Sequence, residues 1–362
     1  MVSDALTLTV YVGERDRHER QLLADVLMDA YARHGVHTSA LLRGIEGFGI
    51  KHQLRTERLL TLSEDLPIVA LAVDERPRIE ALLAEVCDIS REGLITLERT
   101  RLSSGPEHSD ELRDGTDALK MTIYVGRGER VGTRPAYLAV VDCLHRCGLD
   151  GASVLLGLDG AAHGVRRRAR FVSGNAQVPL MIVSVGDSSS VTRALEELQA
   201  MLSKPTVTLE RVRVCRRDGV ALADPHGSRL PADDAGLTYW HKLVVYASEQ
   251  TLHDGEPLHG QLVRRLRSEG AAGATVLRGL WGYHGEHRPH GERFWSLRRH
   301  VPAITVLIDT PANTQRWFEV VAEMTAESGL VTSELVPALR ASGPGVEHGG
   351  LRLAEPRARQ GP

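Results

Sequence analysis

The sequence of 362 residues contains no long hydrophobic run. No segment approaches the roughly 18 uninterrupted apolar residues that a membrane-spanning helix needs, so no membrane insertion is predicted. Residues 1–13 have neither a basic region nor a long apolar stretch, which argues against a secretory signal peptide. The formal net charge of −3 gives no electrostatic case for binding nucleic acid or a membrane surface. We therefore expect a cytoplasmic protein.

Lysine, aromatic residues and cysteine are all scarce. Lysine occurs only at positions 51, 120, 204 and 242, and we attribute the excess of arginine to a G+C-rich genome. Aromatic residues make up 4% of the chain, too few for the base-stacking sheet of an RNA-recognition module. The four cysteines form no C-x-x-C pair; Cys143 and Cys147 share one helical face, but two thiols do not make a zinc site. We expect buried thiols.

Signatures of catalysis and of phosphate-loop nucleotide binding are also missing. The sequence has no G-x-x-x-x-G-K-[ST] motif. No nucleophile with a base or pair of acids in a cleft is evident, and residues 63–65 (Ser-Glu-Asp) are interpreted as a turn before a buried strand. We therefore predict that the protein is not an enzyme.

What the sequence does contain is one unit repeated three times. LTVYVG at residues 8–13 recurs as MTIYVG at 121–126 and as KLVVYAS at 242–248, which places the tyrosines 113 and 122 residues apart. Later landmarks keep nearly the same spacing: Gly35, Gly148 and Gly270; Gly44, Gly157 and Gly279; Pro67, Pro179 and Pro302. Several landmarks with one spacing indicate a triplication.

The hydrophobic period within a unit predicts its fold. LTLTVYV alternates as a strand does, and the apolar residues of 22–31 then recur at helical spacing. Residues 38–44 and 66–74 are predicted strands, Pro77 lies in the first turn of a second helix, and residues 93–102 form a closing strand. The order β-α-β-β-α-β predicts an α+β, ferredoxin-like unit, with one four-stranded antiparallel sheet backed by two helices.

Composition sets the boundaries between the units. Stretches rich in Gly, Pro, Asp and Ser have the composition of linkers, and the C-terminal stretch is predicted to be disordered. The predicted organisation is unit 1 at 1–102, a linker at 103–118, unit 2 at 119–217, a linker at 218–238, unit 3 at 239–340 and a disordered tail at 341–362.

Four stretches of unit 1 resemble the DUF190 family, also called UPF0166: YVGE (11–14), LLRGIEGFG (41–49), LLTLSEDLPIVALAVD (59–74) and GLITLE (93–98). Unit 3 resembles it at residues 256–285 and 329–336, whereas unit 2 matches in its strands and helices and departs in its loop. The family is uncharacterised and has a PII-like, ferredoxin-like fold. The string GATVLRGLWG is specific, while the strand order alone is shared by many functions.

The resemblance implies an assembly and a function. PII-like proteins are trimers whose sheets face a central axis, so three units on one chain suggest a single-chain pseudo-trimer; a homo-oligomer of several chains is the alternative. The resemblance implies a regulatory protein that binds a small anionic ligand, commonly an adenine nucleotide, between units. A long loop between the second and third strands would then meet a partner protein. Because family members are often encoded beside fluoride-export channels, that partner could be a membrane transporter.

The glycine-rich stretch after the second strand is the candidate ligand site. Glycines there can present backbone N–H groups to an anion, and a neighbouring arginine can contact phosphate. We predict phosphate contacts from Arg43 and Arg278, and backbone contacts or hinges from Gly44, Gly47, Gly49, Gly279, Gly282 and Gly285, with Glu14 lining the same cleft. Unit 2 has Leu156-Gly157 at this point and no aromatic residue like Phe48 or Tyr283, so its site is altered or lost.

Three other interpretations remain open from the residues. The loops could bind a partner protein without any ligand. His284, His287 and His290 recur every third residue and could bind a metal, although glycine and proline between them exclude a regular helix. The run Arg166, Arg167, Arg168 and Arg170 could bind an acidic partner or RNA, but a solvated loop is the simpler interpretation given the overall negative charge.

Overall fold

A computed structural model provides the architecture. It describes residues 3–49, 53–56, 65–103, 118–162, 164–168, 178–203, 205–226, 232–233, 235–285, 289–291, 301–343 and 346–355. Each of the three repeats forms one unit with two helices of 11 and 14 residues.

The three units share the same order of nine elements, to which unit 2 adds a short last strand and unit 3 adds a terminal hairpin. Unit 1 contains β1 Ser3–Gly13, β2 Arg17–His18, β3 Gln21–Leu22, α1 Leu23–Arg33, β4 Thr38–Phe48, β5 Arg55–Thr56, β6 Pro67–Glu75, α2 Arg76–Ile89 and β7 Gly93–Ser103. Unit 2 contains β8 Ala118–Gly126, β9 Arg130–Val131, β10 Arg134–Pro135, α3 Ala136–Arg146, β11 Gly151–Ala162, β12 Val165–Arg168, β13 Pro179–Gly186, α4 Ser188–Met201, β14 Thr206–Arg217 and β15 Val220–Ala221. Unit 3 contains β16 Trp240–Ser248, β17 Leu252–His253, β18 Glu256–Pro257, α5 Leu258–Ser268, β19 Ala274–His284, β20 His290–Gly291, β21 Pro302–Asp309, α6 Pro311–Met324 and β22 Leu330–Val336, followed by β23 Ala338–Gly343 and β24 Val346–Gly350.

Each unit has the predicted ferredoxin-like topology. In unit 1 the antiparallel order is β4-β6-β1-β7, and the same order recurs as β11-β13-β8-β14 and β19-β21-β16-β22. The two helices cover one face of each sheet because their apolar stripes, such as Leu27, Met28 and Tyr31 of α1, are fully buried against it. Three separate cores result, one in each unit.

The three units close into a ring within one chain. The C-terminal part of β4 pairs with the N-terminal part of β19, β19 continues onto β11, and β11 continues back onto β4. A second ring of strand pairings links the fourth strands of the units. The strand β7 pairs with β14, and the end of β14 pairs with β22. The strand β23, which follows β22, closes the ring by pairing with β7. A single chain therefore forms a pseudo-trimer, the first of the two arrangements that the sequence left open.

Two features differ from the expectations. The second strand does not end at Arg43-Gly44: β4 continues to Phe48, and β19 to His284, so the glycine motif lies in a strand. The segment from 341 onward is not wholly disordered, because β23 and β24 form a hairpin that extends the sheet of unit 1. Pairing with β7 supplies backbone hydrogen-bond partners that composition alone does not reveal. Residues 356–362 lie outside the described part.

Candidate functional site

The glycines of the repeated motif lie where two units cross. A Cβ on Gly47 would stand 2.5 Å from the carbonyl oxygen of Ala274 in unit 3, and one on Gly282 would come closer still to that of Ala152 in unit 2. Gly160 of unit 2 lies against Ser39 of unit 1 in the same way. These distances are below any tolerable van der Waals contact, so the crossing requires glycine. Gly44 and Gly279 are also covered by a neighbouring carbonyl and by a proline.

Just beyond the crossing, two units insert an aromatic residue into the core of their neighbour. Phe48 packs in the core of unit 3, and Tyr283 packs in the core of unit 2, where its hydroxyl donates to the Leu149 carbonyl at 3.2 Å. At the equivalent position unit 2 has the smaller residue Ala161, which is buried and pairs with Ser39 of unit 1. Phe48 and Tyr283 are therefore buried anchors between units.

The predicted arginines pair with glutamates of their own unit. Arg43 donates to Glu14 at 2.9 Å, and Arg278 donates to Glu249. Unit 2 has Leu156 in place of the arginine and Arg127 in place of the glutamate. Because both partners changed together, the missing arginine of unit 2 coincides with the loss of a whole ion pair.

A large cleft opens between units 1 and 3. Its volume is about 660 Å³, and its apolar walls include Phe48, Leu94, Trp240, Val306 and Ile308. The terminal hairpin contributes Leu339, Ala341 and Ser342. A cleft of this size with mainly apolar walls and a few polar groups is typical of small-molecule sites.

In the polar part of this cleft, the side chain of Arg55 is positioned by two aspartates. Arg55 lies over Gly13 and pairs with Asp65 at 3.0 Å and with Asp16 at 3.9 Å, while Asp16 accepts from the Gly13 N–H at 2.6 Å. These contacts fix the guanidinium at the wall of the cleft, where it can meet an anionic group.

The N-terminus of α6 forms another polar wall. Asp309 is buried and accepts hydrogen bonds from the Thr310 N–H at 2.7 Å, the Asn313 amide at 2.9 Å and the Trp317 indole at 2.8 Å. Thr310 caps the helix through the Asn313 N–H. The first turn of a helix carries partial positive charge, and the Asp309 carboxylate already lies against it.

The other two junctions between units differ from this one in the described residues. Between units 3 and 2 the corresponding cleft measures only about 20 Å³, lined in part by Tyr283, His284 and His290. Between units 2 and 1, Arg166 bridges Asp159 of its own unit and Asp29 of α1. The first member of the predicted basic run is therefore in ion pairs; Arg170 lies outside the described residues.

The predicted ligand residues are divided among these places. Gly49 lines the large cleft and Gly282 the small one. Gly44, Gly47 and Gly279 lie at the strand crossings. The ion pairs Arg43–Glu14 and Arg278–Glu249 lie beside these crossings. Gly285 follows β19 and has a φ of +54°. His284 and His290 line the small cleft, while His287 lies outside the described residues.

A cluster of charged side chains lies on the axis where the three units meet. The Nζ of Lys120 is 2.9 Å from Glu210 and 2.6 Å from Glu334, and the Nζ of Lys242 is 2.7 Å from Glu334 and also contacts Glu98. Burial opposes ionisation of Glu334, but the two ammonium groups outweigh it and hold the pKa of its carboxyl well below the usual range. Burial likewise opposes charge on the lysines, yet the carboxylates raise the pKa of both.

The sequence analysis missed this axial cluster, although a signal was present. Only four lysines occur in the chain, and Lys120 and Lys242 both stand four residues before the repeated tyrosine. That tyrosine, Tyr11, Tyr124 or Tyr246, lines the same axial cavity of about 110 Å³, and burial raises the pKa of each hydroxyl. A rare residue type at one repeat position points to a specific role.

One group of potential metal ligands occurs among the described residues. Cys143 of α3, Cys147 directly after that helix and Glu197 of α4 place their ligand atoms within 4.8 Å of one another. Arg146 already pairs with Glu197 at 2.7 Å. The corresponding contact of unit 1 is the pair His34–Glu85, also with an arginine, so this position joins the two helices in both units. Burial raises the pKa of both thiols, which opposes the thiolate form that binds metal.

Comparison with known proteins matches this architecture repeat by repeat. The model of the DUF190 family, described as "Uncharacterized ACR", matches residues 5–102, 118–214 and 240–338. A UPF0166 protein of Aquifex aeolicus is 28% identical over 92 residues, which cover 25% of this chain and 86% of that protein. A UPF0166 protein of Methanocaldococcus jannaschii is 28% identical over 94 residues, covering 26% of this chain and 86% of that protein.

Among solved structures, the aspartate kinase of Synechocystis is similar at 11% identity with a TM-score of 0.25, over 92% of this chain and 52% of the kinase. That similarity is too low to carry a functional argument. Within the described residues, no helix is both long and apolar enough to cross a membrane.

Proposed function

Because the chain belongs to the DUF190 family of uncharacterised proteins, we propose that it is a PII-like regulatory protein whose ligand binds in the cleft between units 1 and 3. The observation that carries the proposal is the cleft of about 660 Å³ with an apolar wall and a fixed guanidinium. The ligand would have a flat apolar ring and an anionic end, as an adenine nucleotide does.

The shape of the walls supports this ligand class. Trp240 offers aromatic surface for a ring system, while the Arg55 guanidinium can exchange its aspartate partners for a phosphate. Arg43 remains a predicted phosphate contact: its pair with Glu14 is 40% and 32% exposed, and exposed pairs are worth only about 0–1 kcal/mol, so a ligand can displace it.

A signal from the cleft could reach a partner through the segment that follows Gly49. Gly49, Gln53 and Arg55 line the cleft, and the chain then enters residues 57–64, which lie outside the described part. Ligand contacts with Gln53 and Arg55 would change the surface that these residues offer to a partner protein, for which a membrane transporter is our suggestion. The second predicted contact, Arg278, precedes the residues of β19 that pair with unit 2, and the cleft at that junction measures only about 20 Å³, so we expect one ligand per chain.

The test is a thermal-shift and calorimetric series with AMP, ADP, ATP and adenosine, with and without magnesium. A ligand at one hundred times its dissociation constant adds about 2.7 kcal/mol to the free energy of unfolding, which is readily measured. Gly49→Phe should abolish binding, because a side chain at Gly49 meets no atom within 4 Å and would project into the cleft. Gly350→Phe is the matched control, since Gly350 is equally open and does not line the cleft.

The Arg55→Ala variant tests separately how the anionic end and the ring of the ligand are bound. We expect it to weaken AMP binding about tenfold or more, as loss of a charge-assisted contact does, and to leave adenosine binding nearly unchanged. A stoichiometry of two would place a second site at the Arg278 junction. Absence of any shift with every nucleotide would refute the nucleotide proposal and favour a ligand-independent interaction scaffold.

A further inference from the structure

The axial cluster repeats one pair of positions in every unit. In unit 2, Lys120 of β8 lies opposite Glu210 of β14, and in unit 3, Lys242 of β16 lies opposite Glu334 of β22. In unit 1 the same register sets Thr7 opposite Glu98. The glutamate is therefore present in all three units, whereas the lysine is present only in units 2 and 3.

Each lysine follows the same rule of contact. It bridges the glutamate of its own unit and that of one neighbour: Lys120 reaches Glu210 and Glu334, and Lys242 reaches Glu334 and Glu98. Applied to unit 1, this rule puts a third ammonium between Glu98 and Glu210. Thr7 occupies that position, and its hydroxyl donates to Glu210 at 3.4 Å.

With Thr7 in place of a third lysine, the axial cluster has three carboxylates and two ammonium groups among the described residues. The side chains of the three glutamates are at most 11% exposed, and an uncompensated charge in such surroundings costs several kcal/mol. Moreover, among the described residues the buried Oε1 of Glu334 has no hydrogen-bond partner. The excess of one carboxylate among the described residues indicates that a positive group is missing from the cluster; the unpartnered oxygen belongs to Glu334, which both lysines already contact, and does not locate that group.

There is room for such a group. The axial cavity of about 110 Å³ is lined by Glu98, Glu210 and Glu334 and by the hydroxyl-bearing side chains Thr7, Thr9 and Thr122 with the three repeated tyrosines. A single water needs only about 10–15 Å³ of such space, so an ion fits together with water ligands. Carboxylate and hydroxyl oxygens are the ligands of hard cations.

We propose that a monovalent cation of the size of K⁺ or NH₄⁺ binds beside Thr7, between Glu98 and Glu210, in place of the third lysine ammonium. One positive charge balances the excess of one carboxylate, whereas a divalent ion would reverse it. The cation joins unit 1 to unit 2 across the axis, as Lys120 joins unit 2 to unit 3.

The first measurement is the melting temperature of the full chain in KCl, NH₄Cl and choline chloride at one ionic strength. We expect Tm to be about 2 °C or more higher in K⁺ or NH₄⁺ than in choline, because binding to the folded state alone is stabilising. Equal Tm values in all three salts would overturn the proposal.

Two substitutions at one position test the mechanism. Thr7→Lys supplies the third ammonium, so its Tm should equal or exceed the wild-type value in KCl and no longer depend on the cation. Thr7→Met has a similar length without the charge, and should give a lower Tm in every salt. A Thr7→Lys protein that still responds to K⁺ would contradict the assignment.

Crystals grown in a thallium(I) salt locate the ion. We expect an anomalous peak between Glu98 and Glu210 in the wild type and none in Thr7→Lys. If the peak is absent and Tm responds to pH alone, a proton on one carboxyl balances the charge and the cation site is refuted. The groups that could take part in such a titration are the three glutamates, Lys120, Lys242, Tyr11, Tyr124 and Tyr246.

Discussion

A β-carbon at Gly282 in unit 3 would collide with the carbonyl oxygen of Ala152 in unit 2. The same contact joins Gly47 to Ala274 and Gly160 to Ser39, so it occurs once at each of the three junctions. The glycine-rich motif is thus required for the closure of the ring, whether or not its neighbours bind a ligand. Because the crossing strands also border the clefts, ring closure and the proposed ligand binding would share one structural element.

Gly282→Ala should destabilise the protein, because the added methyl group collides with a backbone atom that cannot move independently. We expect a loss of about 1–3 kcal/mol in the free energy of unfolding, measured by urea denaturation. Gly49→Ala is the control: a Cβ there meets no atom within 4 Å, so the change should be neutral or slightly stabilising. Equal stability of Gly282→Ala and wild type would show that the crossing can relax.

The sequence predicted the units well and their junctions poorly. Strand alternation, helical spacing and the recurrence of Tyr11, Tyr124 and Tyr246 are local signals, and they were enough for the ferredoxin-like topology. The role of Gly47 was not readable, because its neighbour Ala274 is more than two hundred residues away in the sequence. A glycine that permits a close approach and one that permits a turn look the same in a single sequence.

The terminal hairpin and the axial cluster were missed for a similar reason. The strand β23 exists because β7 offers it an unpaired edge, which composition cannot show. Lys120 and Lys242 were attributed to nothing in particular, since two lysines become informative only when their units are placed around an axis. In both cases the deciding contact joins different repeats.

The buried side chain of His241 should lower the free energy of unfolding in mild acid. Its side chain is buried, neither ring nitrogen has a hydrogen-bond partner among the described residues, and burial, with the nearby charges of His226 and Arg213, lowers its pKa to about 4. The unfolded chain therefore binds a proton that the folded chain does not between about pH 6.5 and 4. Stability should fall as pH falls through this window, by up to about 3 kcal/mol from this group.

His241→Leu should remove this dependence. Units 1 and 2 have Leu6 and Leu119 at the same position, so leucine suits the site. We expect the variant to be more stable than wild type at pH 5 and to have a flatter profile of unfolding free energy between pH 7 and 4.5. Losses below about pH 4.5 should persist, because the depressed pKa of Glu334 makes its contribution there. An unchanged slope between pH 6.5 and 4.5 would show that other groups carry the effect.

Lys242→Met should cost about 3–5 kcal/mol of unfolding free energy, because it leaves Glu98 and Glu334 buried without their shared ammonium. The measurement is urea unfolding at pH 7. Adding Glu98→Gln to this variant removes one of the uncompensated charges and should restore part of the loss. Additive costs of the two substitutions would mean that the pair is not coupled and would contradict the axial network.

Removal of the terminal hairpin should weaken the junction of units 1 and 3. Truncation after Pro337 deletes Leu339 and Ala341, which are buried with Ile308 and Trp240 beside the large cleft, and exposes the edge of β7. Burial of one leucine side chain alone is worth about 1.5–3 kcal/mol, so we expect a loss of about 3 kcal/mol or more, together with a change in tryptophan fluorescence and a loss of ligand binding. Truncation after Glu355, which removes only residues 356–362, is the control and should leave all three properties unchanged. If the shorter chain kept its stability and still bound ligand, β23 would be dispensable, and the cleft would need only the walls supplied by the two units themselves.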